Sequence, residues 1–154
     1  MGAQVKNPRK KFNFSISFPK HPLNPYLCQK VNLPDIEIEQ VTHGDINRDV
    51  KTAGRVTIGN LTVEKLLVTS GSDTWALDWL YACQDHINGG GLVPEQYWEE
   101  MVVNELAEDG VSIIQSWICT EVWPCKITGL ELDRTSSDNT IEVIEFSVGT
   151  IDKL

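Results

Sequence analysis

The sequence predicts a mainly β, antiparallel fold with one α-helix and one long polar hairpin or loop. Three observations carry this. From Ala107 to Ile151, three runs of β-branched and aromatic residues are separated by turn-forming residues, the pattern of an antiparallel meander. After Ser70-Gly71 the apolar period changes from two to three and four, at Ala76, Trp79, Leu80, Cys83 and Ile87, which makes a single helical stripe. Ahead of both, Thr42 to Gly54 (THGDINRDVKTAG) is polar, broken by two glycines and almost without hydrophobic period.

The first strand is predicted within Lys11 to Pro19, where Phe12, Phe14, Ile16 and Phe18 share one face and Asn13, Ser15 and Ser17 the other. Pro19, Pro22 and Pro25 then make an irregular connection, and extended chain resumes at Tyr26 to Val31. Leu33-Pro34 opens a strand from Asp35 to Val41, in which Ile36 and Ile38 face the core and Asp35, Glu37 and Glu39 face water. The Thr42 to Gly54 segment reads as a hairpin tip or loop, and connections of this length without regular structure usually serve an interaction. Arg55 to Thr69 is the longest strand-like run, with Leu61, Val63 and Leu67 on one parity and Thr62 and Glu64 on the other. Gly59 marks a bulge or a close backbone approach there.

For the helix, Ser72 or Asp73 is the expected N-cap and Gly89-Gly90-Gly91 the stop. Pro94 to Trp98 reads as a short turn followed by a strand from Glu99 to Ala107, because Asp109-Gly110 calls for a tight, primed hairpin after it; a helix from Pro94, with Tyr97, Met101 and Leu106 near one stripe, is the alternative. Trp123-Pro124 interrupts the next strand, since proline has no N–H for the ladder, and a corner is expected at that pair. Ser136 to Asn139 makes a looser reversal, with Leu130 and Leu132 assigned to the core before it.

Length and composition narrow the classes of function. A chain of 154 residues suits one domain, residues 1–154, with a core that needs no covalent staples. There is no apolar run near the roughly 18 residues of a membrane span, and MGAQVKNPRKKF lacks the apolar centre of a signal peptide, so a cytosol-like compartment and no membrane insertion are expected. Cys28, Cys83, Cys119 and Cys125 have no C-x-x-C spacing and read as buried free thiols. The net charge of −9 opposes a static grip on nucleic acid, whose phosphates are held by lysine and arginine. Arg9-Lys10-Lys11 is the one basic run, read as a solvated arm.

The motifs of chemistry are missing. His21, His43 and His86 stand in no metal-binding spacing, and His86 is placed in the last turn of the helix, where a cation favours the dipole. The glycine triplet follows a helix instead of preceding one, so it is no phosphate cradle, and Ser70-Gly71-Ser72 has no nucleophile-elbow pattern. No enzyme, no metal and no cofactor are expected.

A D-G turn, a strand carrying Trp117 and ending in Trp123-Pro124, then Lys126 to Asp133 (KITGLELD) and a final strand from Ile141 to Val148 resemble the tail tube proteins of contractile-tailed bacteriophages and related contractile injection systems. The strands near Phe12 and Asp35, and Gly59-Asn60-Leu61-Thr62-Val63 leading to the helix around Trp75, fit the same family. The resemblance covers most of the chain. It implies an antiparallel β-sandwich or barrel with one helix packed on it, assembled as hexameric rings stacked into a tube. The implied place is a virion tail assembled in the host cytoplasm. The implied partners are other copies of the chain, a tail sheath protein, baseplate and tail terminator proteins, a tape measure protein in the lumen, and double-stranded DNA passing through without being bound. An inner tube carrying protein effectors, and a monomeric ligand-binding β-barrel, are the competing readings.

Two sets of residues are expected at the working surfaces. Glu37, Glu39, Glu64 and Glu131 are expected to line an acidic bore, because their apolar neighbours claim the core. Asp45, Arg48, Asp49 and Lys51 are expected to make complementary pairs between stacked rings.

Overall fold

A computed structural model describes residues 8–18, 28–67 and 74–154. Pro19, His21, Pro22, Pro25, Ser70-Gly71-Ser72 and Asp73 lie outside that set, and so does the start of the segment expected from Tyr26.

The architecture turns on one strand. β7 (Ile113–Ile127) runs for 15 residues and changes partners midway. Its first half pairs with β6 (Glu99–Leu106) and with β9 (Thr150–Lys153); its second half pairs with β8 (Ile141–Ser147). β1 (Phe14–Ser17) extends the first half beyond β6, while β5 (Leu61–Leu66) and then β2 (Cys28–Asn32) extend the second, every pairing being antiparallel. The two halves close over one core, to which Ile16, Met101, Val103 and Cys119 come from the first and Leu61, Val63, Ile144 and Phe146 from the second. This is the expected sandwich.

The corner is real, but its hinge lies just ahead of Trp123-Pro124. Thr120 is still opposite Thr150 on β9 and Trp123 is already opposite Ser147 on β8. Between them Glu121 takes φ +54°, the sole non-glycine residue with positive φ among the described residues. The strand there has an extra residue against β6, since Glu99 pairs Val122 and Met101 pairs Cys119. Gly149 passes close beneath: a Cβ placed on it would stand 2.7 Å from the Glu121 Cβ. The proline contributes a second irregularity between Pro124 and Lys126. Cys119 and Cys125, on either side of the bend, remain free thiols.

Helix α1 (Trp75–Cys83) lies over β7 with Ala76 and Trp79 buried. The Trp79 ring meets Phe18, Trp75 and Phe146, and its Nε1 donates to the Tyr97 carbonyl at 2.8 Å. The helix is shorter than its stripe implied. Thr74 occupies the N-cap position, and Gln84 turns extended at the other end. Asp85 then captures the Ile87 and Asn88 N–H groups, so Ile87 is 71% exposed and His86 sits beyond the helix with its ring against Tyr81. α2 (Pro94–Tyr97) is the expected single turn before β6.

Other expectations fail locally. Arg55 to Thr69 splits at Gly59-Asn60, where the Gly59 N–H donates to the Asp35 carbonyl at 2.9 Å; the close approach is as expected but the single strand is not. Lys65, on the same parity as Leu61 and Val63, is fully buried and holds its Nζ 5.8 Å from the Trp75 ring centre. The Asp109-Gly110 hairpin exists, but only Gly110 has positive φ (+73°), so the turn is not a primed one. Instead Gly110 N–H bonds the Ala107 carbonyl, and Asp109 takes the Val111 and Ser112 N–H groups. Leu130 and Leu132 lie outside any strand and are exposed, and Phe12 precedes β1 at 76% exposure.

Candidate assembly interface

One element stands apart from the sandwich. Among the described residues β3 (Ile36–Gly44) and β4 (Asp49–Ile58) pair only with each other, and they reverse at Asp45 to Arg48 through a 3.0 Å bond from Asp45 N–H to the Arg48 carbonyl. Every residue of β3 is exposed, and so is every residue of β4 before Ile58. The Thr42 to Gly54 segment is thus the outer half of a hairpin that begins well before it. A two-stranded hairpin is marginal in water by itself, and a long exposed edge invites pairing with another chain.

Cross-strand register divides the hairpin into two faces. Ile36 opposes Ile58 and Ile38 opposes Val56, giving an apolar root on the first face; further out, Gln40 opposes Ala53 and Thr42 opposes Lys51. Glu37, Glu39, Val41 and His43 take the second face, as strand alternation requires. Ile58 packs against the core, so the first face continues the core face of the sandwich past its own covering layer. Ile36 and Ile38, expected inside, are 57% and 53% exposed for that reason.

The structure brings Asp45, Arg48, Asp49 and Lys51 together at or beside the tip, all exposed. The four glutamates separate. Glu37 and Glu39 lie on the hairpin, whereas Glu64 and Glu131 border one surface hollow of about 800 Å³ beneath the segment 128–140. The argument from apolar neighbours survives for Glu64, whose flanking Val63 is buried, and not for Glu37, Glu39 or Glu131. The polar face of the second half-sheet is also less acidic than expected: Lys30 stands opposite Glu64, and Glu145 has Thr62 on one side and Lys126 on the other. Asn60 Nδ2 donates to Glu145 at 2.7 Å on that face.

Burial pushes the Cys28 and Cys119 thiols up to about 11, and burial with the nearby Glu99 does the same to Cys83, which keeps them protonated and unreactive near neutrality. Among the described residues no group of three or more His, Cys, Asp or Glu is placed to hold a metal, and no helix is long and apolar enough to cross a membrane.

The family model of the T4-like virus tail tube protein gp19 matches residues 10–151. The chain belongs to that tail tube family. Solved structures repeat the tail tube fold at low identity. The anti-feeding prophage cap, a tube-terminating cap, superposes with a TM-score of 0.82 at 16% identity, over 100% of this chain and 95% of that one. A sheath/tube terminator of an extracellular contractile injection system gives 0.81 at 17%, over 98% and 99%. Hcp1 from Flavobacterium johnsoniae is more distant, at 0.51 and 14%, over 92% and 94%. None of the curated proteins matches. Within this tail tube fold the hairpin is exposed on both faces.

Proposed function

We propose that this tail tube protein forms hexameric rings that stack into a tube around a channel, and that the hairpin joins one ring to the next. The observation that carries the reading is a strand pair exposed on both faces, too small to persist without a partner. Asp45, Arg48, Asp49 and Lys51 at its end carry both signs of charge and suit a repeating, self-complementary contact. Structures of similar fold come from a sheath–tube complex, a tube terminator and a six-fold symmetrised baseplate, which supports sheath, terminator and baseplate proteins as neighbours of this chain.

The channel lining in this reading is the polar face of the second half-sheet, with Glu64 beside Lys30, and with Glu131 over the adjoining hollow. Acidic and mixed charge without a basic stripe lets duplex DNA pass without counterion release holding it. The match to a viral tail tube family favours a phage genome as cargo, with a tape measure protein in the lumen before ejection. The likeness to extracellular injection systems favours the second reading, a protein effector. A ligand-binding barrel gains less support, because Leu61, Met101, Val122, Ile144 and Phe146 fill the core.

Deleting Asp45 to Thr52 and viewing the product in electron micrographs tests the assembly role. The expected outcome is a folded subunit without tubes. Normal tubes from the deletion overturn it.

A further inference from the structure

A second apolar surface lies at the outer end of the first half-sheet, away from the corner. Leu106 opposes Ile113 there and donates its N–H to the Asn13 carbonyl, which sets Phe12 beside that end. Leu154 reaches the same end through its N–H to the Ser116 carbonyl, and its own carbonyl accepts from Gln115 Nε2 at 2.7 Å. Phe12, Val111, Ile113, Ile114 and Leu154 are 76%, 79%, 58%, 49% and 70% exposed. Apolar side chains exposed at one end of a sheet mark a contact, and this end is held in place by those bonds. Arg9, in the basic run expected to be a solvated arm, is half exposed and pairs with Glu105 of β6 at 2.9 Å.

The hairpin presents the matching requirement. Its first face carries Ile36, Ile38 and Val56 past the covering layer, with Lys51 further out on that face. The receiving end carries Glu108 and Asp109 beside Val111. Asp109 is firmly anionic: bonds from the Ser112 hydroxyl and from the Val111 and Ser112 N–H groups lower its carboxyl to about 2. Apolar root meets apolar floor, and the cation beyond the root meets the acidic turn. A contact between unlike patches is also what an open stack needs, since like-with-like pairing about a two-fold axis closes as a dimer.

We propose that the Ile36–Ile38–Val56 face of each hairpin is covered by the Phe12–Ile113–Leu154 end of a neighbouring copy, so that one subunit supplies the missing core layer of another. The proposal rests on the tube reading above and names the surface that receives the hairpin. Ile38→Asp and Ile113→Asp, each exposed in the free subunit, should keep the melting temperature and lose tube formation. Lys51→Glu should weaken assembly, and adding Glu108→Lys should restore it.

Geometry is read by mixing Ile38→Cys copies with Ile113→Cys copies, oxidising the assembled material and mapping cross-links by mass spectrometry. A 38-to-113 link between copies is expected, because a disulfide forms only where Cα atoms lie within about 7 Å. Tubes from either aspartate variant, links joining only two copies of residue 38, or no link in intact tubes overturn the proposal and leave the tube reading standing. A wild-type chain that forms no ring or tube overturns both.

Discussion

The sandwich around Phe146 and the β3–β4 hairpin are written in the same alternating pattern and reach opposite ends. In β5, Leu61 and Val63 disappear into the core; in β3, Ile36 and Ile38 stay in water. The difference lies in the partner layer. β5 has β8 and β2 beside it and the first half-sheet across the core, while among the described residues β3 pairs with β4 alone. Alternation therefore reports that a face is to be covered, without saying by which chain.

The sharpest test of the self-sufficient region is Trp79→Ala. Trp79 is 4% exposed, ringed by Phe18, Trp75 and Phe146 and bonded to the Tyr97 carbonyl, and its removal leaves a cavity. A loss of about 3–5 kcal/mol in thermal or denaturant unfolding is expected. A smaller effect is expected at the corner. Gly149→Ala drives a methyl group into the Glu121 side chain and should cost about 1–3 kcal/mol, with the bend between the half-sheets disturbed. Deleting the hairpin tip should leave the unfolding of the sandwich nearly unchanged while assembly is lost. A sandwich that melts much earlier without the tip would mean that the hairpin belongs to the subunit's own core.

Much of the fold was legible because local chemistry and tertiary position agreed. The Pro94 turn, the strand from Glu99, the D-G reversal and the close approach at Gly59 all follow from residues whose backbone preferences the structure satisfies. Failures occurred where one signal had two sources. Leu130 and Leu132 alternate like a strand but lie in a segment with no ladder to join. Ile87 fits a helical stripe, yet Asp85 takes the N–H groups that would have continued the helix. Lys65 shares the inward parity of Leu61 and Val63, but lysine rarely enters a core, so its residue type gives no sign of burial.

The exposed hairpin was legible in part. Length and mixed charge drew attention to Thr42 to Gly54, and that segment is the exposed outer hairpin. The exposure of the apolar root at Ile36, Ile38 and Val56 was not legible, since exposed and buried alternation look alike in one sequence. The bore candidates divided for the same reason: Glu64 follows Val63, which is buried, whereas Glu37 and Glu39 flank Ile36 and Ile38, which are exposed.

Amide hydrogen exchange across Ile36 to Ile58, compared between the free subunit and assembled tubes, tests most directly whether the hairpin is completed by a second copy. The account predicts rapid exchange in the free subunit and protection increased by at least about 100-fold on assembly, while β5 and β8 are protected in both states. Equal protection of the hairpin in both states would contradict it.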